Sequence, residues 1–272
     1  MRIQHNIAAL NSHRQLGTNN TSVGKNLEKL SSGYRVNRAG DDAAGLAISE
    51  KMRAQITGLE VAQKNANDGI SLVQTAEGAL TEVHSMLNRM VELASQSANG
   101  IYAQKDRDNL QAEVTALASE IDRIATETNF NGQKLLDGTA NYDLQISDDV
   151  SATGQINVKI GTAMNTAGLG INNIKISTQT DAKAAVTAVK TAIDSVSTTR
   201  GNLGAIQNRL EHTINNLGVA QENMTAAESR IRDVDMAKEM MAYTKNNILV
   251  QASQAMLAQA NQLPQGVLQL LK

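Results

Sequence analysis

The chain has no cysteine and no tryptophan, only one phenylalanine, four tyrosines and a single proline in 272 residues. Without cysteine there is no disulfide framework, no thiolate nucleophile and no Cys-ligated zinc. With aromatics at 2%, Ala, Leu, Ile, Val and Met must fill the core. That suits thin helical bundles better than a compact enzyme. One proline leaves long helices uninterrupted almost everywhere. Charge is also scarce: 19% of residues are charged and the net charge is −2. No general attraction to nucleic acid or to an anionic membrane follows from such a balance. No apolar run approaches membrane-spanning length, and the start, MRIQHNIAALNSHRQ, lacks the apolar core of a secretory signal. These absences alone predict a soluble cytoplasmic protein with no membrane insertion.

Catalytic patterns are missing too. No two of the four histidines have i, i+4 metal spacing, and none sits in an HExxH context. There is no GxSxG and no P-loop; Gly168 and Gly170 form only GLG. The sequence therefore predicts no catalytic residues, no metal ligands and no cofactor. Asp41-Asp42 and Asp148-Asp149 read as turn carboxylates.

What the chain does have is heptads. Leu203, Leu210, Leu217, Met224 and Ile231 recur at sevens, each followed three residues later by Ile206, Thr213, Ala220, Ala227 and Val234. A seam this long needs facing helices. The first half supplies one: Leu59, Ala66, Val73, Leu80, Leu87 and Ala94, with Ala62, Gly69, Ala76, Val83, Met90 and Ser97 as their d partners. The two halves are expected to pack together around a central excursion.

In order, the pattern predicts a first amphipathic helix to about residue 32, stopped at Ser31-Ser32-Gly33. A glycine-punctuated joint follows, in which Asp41 and Asp42 are placed to cap the next helix. That helix spans about 42–97, and a third runs from about Gln104 until just before the Asn131-Gly132 turn. From Gly138 to about Thr180, Tyr142, Leu144 and Ile146 alternate with polar residues, as do Ile156, Val158 and Ile160. One or two β-hairpins are expected there. Helix resumes near Asp181 and carries its seam through Val234.

Beyond Ile231 the phase slips: Leu249, Met256, Leu263 and Leu270 form a displaced stripe. The amino-terminal stripe of Ile7, Leu10, Leu16, Val23, Leu27 and Leu30 is likewise out of phase with the second helix. Both ends therefore carry a joint, near 33–45 and 233–248. The expected architecture is mainly α: a long antiparallel helical bundle or coiled-coil rod formed by both chain ends, with a small β-hairpin excursion in the middle. Its divisions are 1–42 with 235–272 as terminal arms, 43–139 with 183–234 as the rod, and 140–182 as the excursion. Isolated helices are marginal in water, so the arms are expected to fold against other copies of the chain.

Long blocks at both ends also carry a resemblance. MRIQHNIAALNSHRQL, LEKLSSGYRVNRAGDDAAGLAISEKMRAQITGL, NDGISLVQTAEGALTEV and TNFNGQKLLDG resemble the amino-terminal half of bacterial flagellin. LGAIQNRLEHTINNL, NMTAAESRIRDVDMAKEM and QASQAMLAQANQLPQGVLQLL resemble its carboxy-terminal half. The match covers all but roughly 140–185 and is most like the short flagellins of Bacillus-like bacteria. The resemblance implies a subunit of the extracellular flagellar filament, secreted unfolded through the flagellar type III apparatus without a cleaved signal. It implies arms lining an inner tube and a rod forming an outer tube. Its implied partners are further flagellin subunits, an export chaperone on the carboxy-terminal arm (about Met236–Lys272), a flagellar assembly factor, hook-junction and filament-cap proteins, and the vertebrate toll-like receptor for flagellin. Receptor contact is implied at Arg89, Leu93 and Glu113, which stand where the family's contact residues stand.

Two other classes share some of these features. A chemoreceptor hairpin also has heptads and few aromatics, but its tip stays helical where this chain turns β-like. An enzyme would work as a dilute monomer and would carry the constellations missing here.

Overall fold

The computed structural model describes residues 6–149 and 154–270, with side chains through residue 262. Five helices and two short antiparallel hairpins follow in the order α1 (Ile7–Ser32), α2 (Ala43–Ser97), α3 (Gln104–Glu127), β1 (Asn129–Phe130), β2 (Gln133–Lys134), β3 (Asn141–Gln145), β4 (Gln155–Lys159), α4 (Gln179–Arg232) and α5 (Met236–Leu270). The chain divides into two compact units. One runs up to Ile56 and resumes at Glu222; the other is Thr57–Gln221.

Within the Thr57–Gln221 unit the heptads behave as the sequence predicts. Every a and d position of α2 from Leu59 to Ser97 is buried, and Leu80, Leu87, Val73 and Ala66 are each 0% exposed. The partners run antiparallel: Leu59 and Ala62 pack with Leu217, Ala66 packs with Leu210, and Arg200 reaches Glu77 at 3.4 Å. Leu203, at 1% exposure, sits in the same core as Leu80 and Leu87. A chain of large apolar residues sealed from water in this way is the main source of stability for the unit.

The buried arc of α2 is wider than a two-helix seam. Leu72 and Leu93, each one residue before an a position, are also buried, and Ala79 and Met86 pack against the core from the same line. The same cluster takes in Val114, Ile121 and Ala125 of α3 together with Leu135, Leu136 and Ala140 beyond it. A third helix turns a narrow stripe into a broad face. Arg107, only 8% exposed, ties the α2–α3 connection: its Nη2 donates to the Asn99 carbonyl at 3.0 Å.

The Asn131-Gly132 pair makes the turn that its sequence predicts. Both residues have positive φ, 51° and 81°, joining β1 to β2. The second hairpin pairs Tyr142 with Val158 and Leu144 with Ile156. Gly69, a small d residue, is small for a specific reason: a Cβ there would collide with Leu144 Cδ1. The segment 164–176, irregular in sequence, is fully integrated into the core through Met164, Ile171 and Ile176. Side chains of α3 hold its backbone. Asp122 accepts from the Thr166 N–H at 2.7 Å and from Thr166 Oγ1 at 2.9 Å. Gln111 donates to the Ile174 carbonyl at 3.1 Å and accepts from the Ile176 N–H at 2.6 Å.

In the other unit, α1 begins at Asn6, whose Oδ1 accepts from the Ala9 N–H at 3.1 Å. It ends at Gly33, left-handed at φ 75°, with its N–H bonded to the Lys29 carbonyl at 2.9 Å. The two aspartates of the joint divide the expected capping role. Asp42 Oδ1 accepts from the Gly45 N–H at 2.9 Å and opens α2. Asp41 instead accepts from the backbone N–H groups of Arg38 and Asn37, and those bonds hold its carboxyl below the usual carboxylate range.

Candidate assembly surface

The terminal helices α1 and α5 pack antiparallel. Asn19 is the one buried residue of α1, 6% exposed, and its amide donates to Ser253 Oγ at 3.0 Å. Nearer the ends, Asn6 Nδ2 donates to the Ala260 carbonyl at 2.7 Å. The sequence explains why that carbonyl is free. It would normally accept from the N–H four residues on, but residue 264 is proline, the only one in the chain. Asn6 thus does two jobs: its oxygen caps α1 and its nitrogen satisfies the carbonyl that Pro264 leaves open on α5. Asn6→Asp keeps the cap acceptor and replaces the donor by a carboxylate facing a carbonyl. It is expected to weaken the α1–α5 pairing by about 1–3 kcal/mol, whereas a variant that only lost the cap would lose about 1 kcal/mol. Hydrogen exchange at the Ala260 end of α5, compared between the wild type, Asn6→Asp and Asn6→Ser, checks this.

The two chain interruptions lie against each other. α4 ends at Arg232 and α5 begins at Met236, so Val234, the expected last seam residue, falls in the break. Tyr34 pairs with Asp233 as an isolated antiparallel bridge. Arg35 N–H donates to the Arg232 carbonyl at 2.6 Å, and Val234 N–H donates to the Gly33 carbonyl at 3.0 Å. The Arg232 guanidinium lies 4.7 Å from the Tyr34 ring centroid and binds Glu50 at 2.6 Å. The phase slip read from the sequence is therefore a three-residue break clamped to the end of α1.

Pairing does not cover the stripes. Leu16, Val23 and Leu30 are half-buried, but Ile7, Leu10 and Leu27 stay 57%, 62% and 55% exposed. On α5, Leu249 is 39% and Met256 62% exposed, and among its described side chains Ala260 is the one buried apolar residue, at 6%. The side chains of Leu263 and Leu270 lie outside the described residues. A groove of about 240 Å³ runs between the helices, lined by Ser12, Gln15, Asn19, Leu249, Ala252, Ser253 and Met256. Its floor is apolar and its rim carries hydroxyls and amides without charge. Gln251, Gln254, Gln259 and Gln262 are exposed around the rest of α5. The lower seam residues Met224 and Ile231, by contrast, are only half-buried.

The three positions matched to receptor contact lie in the Thr57–Gln221 unit. Arg89 is exposed and ion-paired, to Glu113 at 2.9 Å and to Glu92 at 3.0 Å, and these bonds raise its pKa. Leu93 is not on the same surface: at 1% exposure it belongs to the core between α2 and α3. The i, i+4 spacing puts the two on one side of α2, but α3 covers the leucine and leaves the arginine at the edge.

No group of three or more His, Asp or Glu side chains that could hold a metal occurs among the described residues. No described helix is long and apolar enough to cross a membrane. A heptad-packed helical unit and a pair of terminal helices with exposed apolar residues, with no candidate metal cluster among the described residues, are features of a helical structural protein.

The particular family follows from comparison. The chain belongs to the bacterial flagellin family: residues 3–141 match the bacterial flagellin N-terminal helical region and residues 186–271 match the C-terminal helical region. It is 55% identical to flagellin of Bacillus subtilis, with all of both chains covered, and 55% identical to flagellin of Halalkalibacterium halodurans, again with all of both covered. The crystal structure of Bacillus cereus flagellin superposes with a TM-score of 0.51 at 35% identity, covering 61% of this chain and 94% of that one. The chain is accordingly a structural subunit of the flagellar filament.

Proposed function

We propose that assembly runs through the open stripes of α1 and α5. The observation that carries this is the exposure of Ile7, Leu10, Leu27, Leu249 and Met256 on helices already paired with each other. Burying each such side chain contributes about 1.5–3 kcal/mol, so subunits gain by covering one another's stripes. In this reading 1–42 with 235–272 form the inner contact layer of a tube, with Leu16, Val23, Leu30, Leu263 and Leu270 completing the stripes. Residues 43–139 with 183–234 form the layer outside it, held by Leu80, Leu87, Leu203, Leu210, Leu217, Met224 and Ile231. The segment 140–182 faces outward. The chain leaves the cell unfolded through the type III route, with an export chaperone on α5 and an assembly factor on the same end. It works in the extracellular filament between hook-junction and cap proteins. Salt-induced polymerisation of the purified chain, viewed by negative-stain microscopy, tests the reading: hollow filaments support it, and particles that stay single at every concentration and seed overturn it.

A second role is recognition by the host toll-like receptor. Arg89 and Glu113 supply an exposed ion pair for direct contact, and Leu93 acts from beneath by fixing the spacing of α2 and α3. Arg89→Ala with Glu113→Ala is expected to raise the half-maximal dose in a receptor reporter assay by about tenfold or more, since hydrogen-bonded charges at an interface contribute on this scale. Leu93→Met, which keeps the core filled, is expected to leave the dose near wild type. An unchanged dose for the double variant contradicts the role.

A further inference from the structure

Ten methionines are spread along the chain, and the described ones range from sealed to open, with Met52, Met86 and Met224 half-buried between the extremes. Met90 and Met164 are sealed in the core at 1% and 0% exposure. Met236, Met240, Met241 and Met256 all lie on α5 and are 49%, 49%, 68% and 62% exposed. Met256 borders the α1–α5 groove beside Leu249. A thioether is oxidised where an oxidant can reach it, so this helix concentrates the reactive sulfurs of the molecule.

The chemistry needs only a peroxide. The sulfur lone pair attacks one peroxide oxygen and the O–O bond breaks. An S–O bond forms, the sulfur loses two electrons, and hydrogen peroxide leaves as water. The product is a polar sulfoxide carrying a strong hydrogen-bond acceptor in place of an apolar tip. On α5 the backbone N–H groups beyond the first turn are used within the helix, and around Met256, from Asn246 through Gln262, no residue is charged, while Met236, Met240 and Met241 lie on the charged first turns beside Lys238 and Glu239. A sulfoxide buried at an association surface gives up its water, a cost that the apolar thioether does not carry.

We propose that Met236, Met240, Met241 and Met256 are peroxide-modified sites that set whether a subunit can join a filament. Oxidation closes α5 to a second copy, and reduction of the sulfoxides reopens it. This rests on the reading of α5 as an association surface.

The test uses the full-length chain as a monomer, exposed to graded hydrogen peroxide. Peptide mass mapping follows each methionine, and sedimentation gives the critical concentration for polymerisation. The four α5 methionines are expected to oxidise first, Met90 and Met164 last. Full oxidation of the four is expected to raise the critical concentration at least about tenfold, and methionine sulfoxide reductases A and B supplied with a dithiol, which is oxidised to its disulfide as the sulfoxide oxygen leaves as water, restore it. M236L/M240L/M241L/M256L is expected to polymerise and to ignore peroxide. An unchanged critical concentration with all four oxidised overturns the proposal. So does equally fast oxidation of Met90 and Met164, or no recovery after complete reduction, a result that needs no variant. Preformed filaments separate the two levels of the argument. If the four methionines oxidise there as fast as in monomer, α5 is not an association surface and both readings fall. If filaments protect them but oxidised subunits still assemble normally, only the oxidation proposal falls.

Discussion

A chain ending at Glu239, without residues 240–272, is expected to form no filaments at any concentration while keeping its Thr57–Gln221 unit folded. The truncation removes Leu249, Met256 and Ala260 from the paired helices. It also removes Ser253 and the Ala260 carbonyl, the partners of Asn19 and Asn6 on α1. An α1 left unpaired loses the packing of its amphipathic face, from which most helical stability in proteins comes, with Ile7, Leu10 and Leu27 still uncovered. The main core cluster, by contrast, draws only on residues between Leu72 and Leu203 and loses nothing. Sedimentation after salt induction and circular dichroism melting read both parts. The midpoint of the main transition is expected to hold within a few degrees, with a loss of helical signal equal to α5 and most of α1. Robust filaments from the truncated chain would show that the assembly surface lies elsewhere.

Leu80→Ala is expected to have the largest effect of any single core truncation on the Thr57–Gln221 unit. Leu80 is 0% exposed at an a position of α2, with core on both sides along the helix at Val73 and Leu87. Removing its side chain forfeits burial and leaves a cavity, about 3–5 kcal/mol in a site that cannot collapse. For a unit of this size that lowers the melting midpoint by roughly 6–15 °C. Val219→Ala, on α4 and 58% exposed, is the matched control and is expected to change stability by less than about 0.5 kcal/mol. Calorimetry on both variants decides; equal shifts would mean that the heptad seam is not the stabilising core. Below its midpoint the Leu80→Ala chain still polymerises, because α1 and α5 are untouched.

The helices and their faces were legible because sevens, glycines and capping residues are local signals. Leu59 to Ser97, Gly33, Asp42 and Asn131-Gly132 each do what their spacing predicts. Other features needed partners distant in sequence. Leu72 and Leu93 are buried in a cluster that also takes in α3 and the segment after it, and nothing on α2 announces that. The integration of 164–176 depends on Asp122 and Gln111, single polar residues on a helix that reads as merely amphipathic. The break at 233–235 was visible as a phase slip, but its clamp of Tyr34, Arg232 and Glu50 joins three elements. Pro264 leaves the Ala260 carbonyl without its helical donor. That Asn6, 254 residues away, answers it is a tertiary fact. Of the assembly surface, the stripes could be read, but how much of them the α1–α5 pairing leaves open could not. For Arg89 and Leu93 spacing placed both on one side of α2 and could not say which one α3 covers.

The central claim is that α1 and α5 reach their full burial only between copies of the chain. Amide hydrogen exchange, measured on the monomer and on filaments of the same preparation, addresses it directly. On assembly, amides of α1 and of α5 through residue 262 are expected to slow at least a hundredfold, while those of α2 from Leu72 to Ser97 stay as slow as before. Equal exchange of α1 and α5 in the two states, already slow in the monomer, would contradict the account.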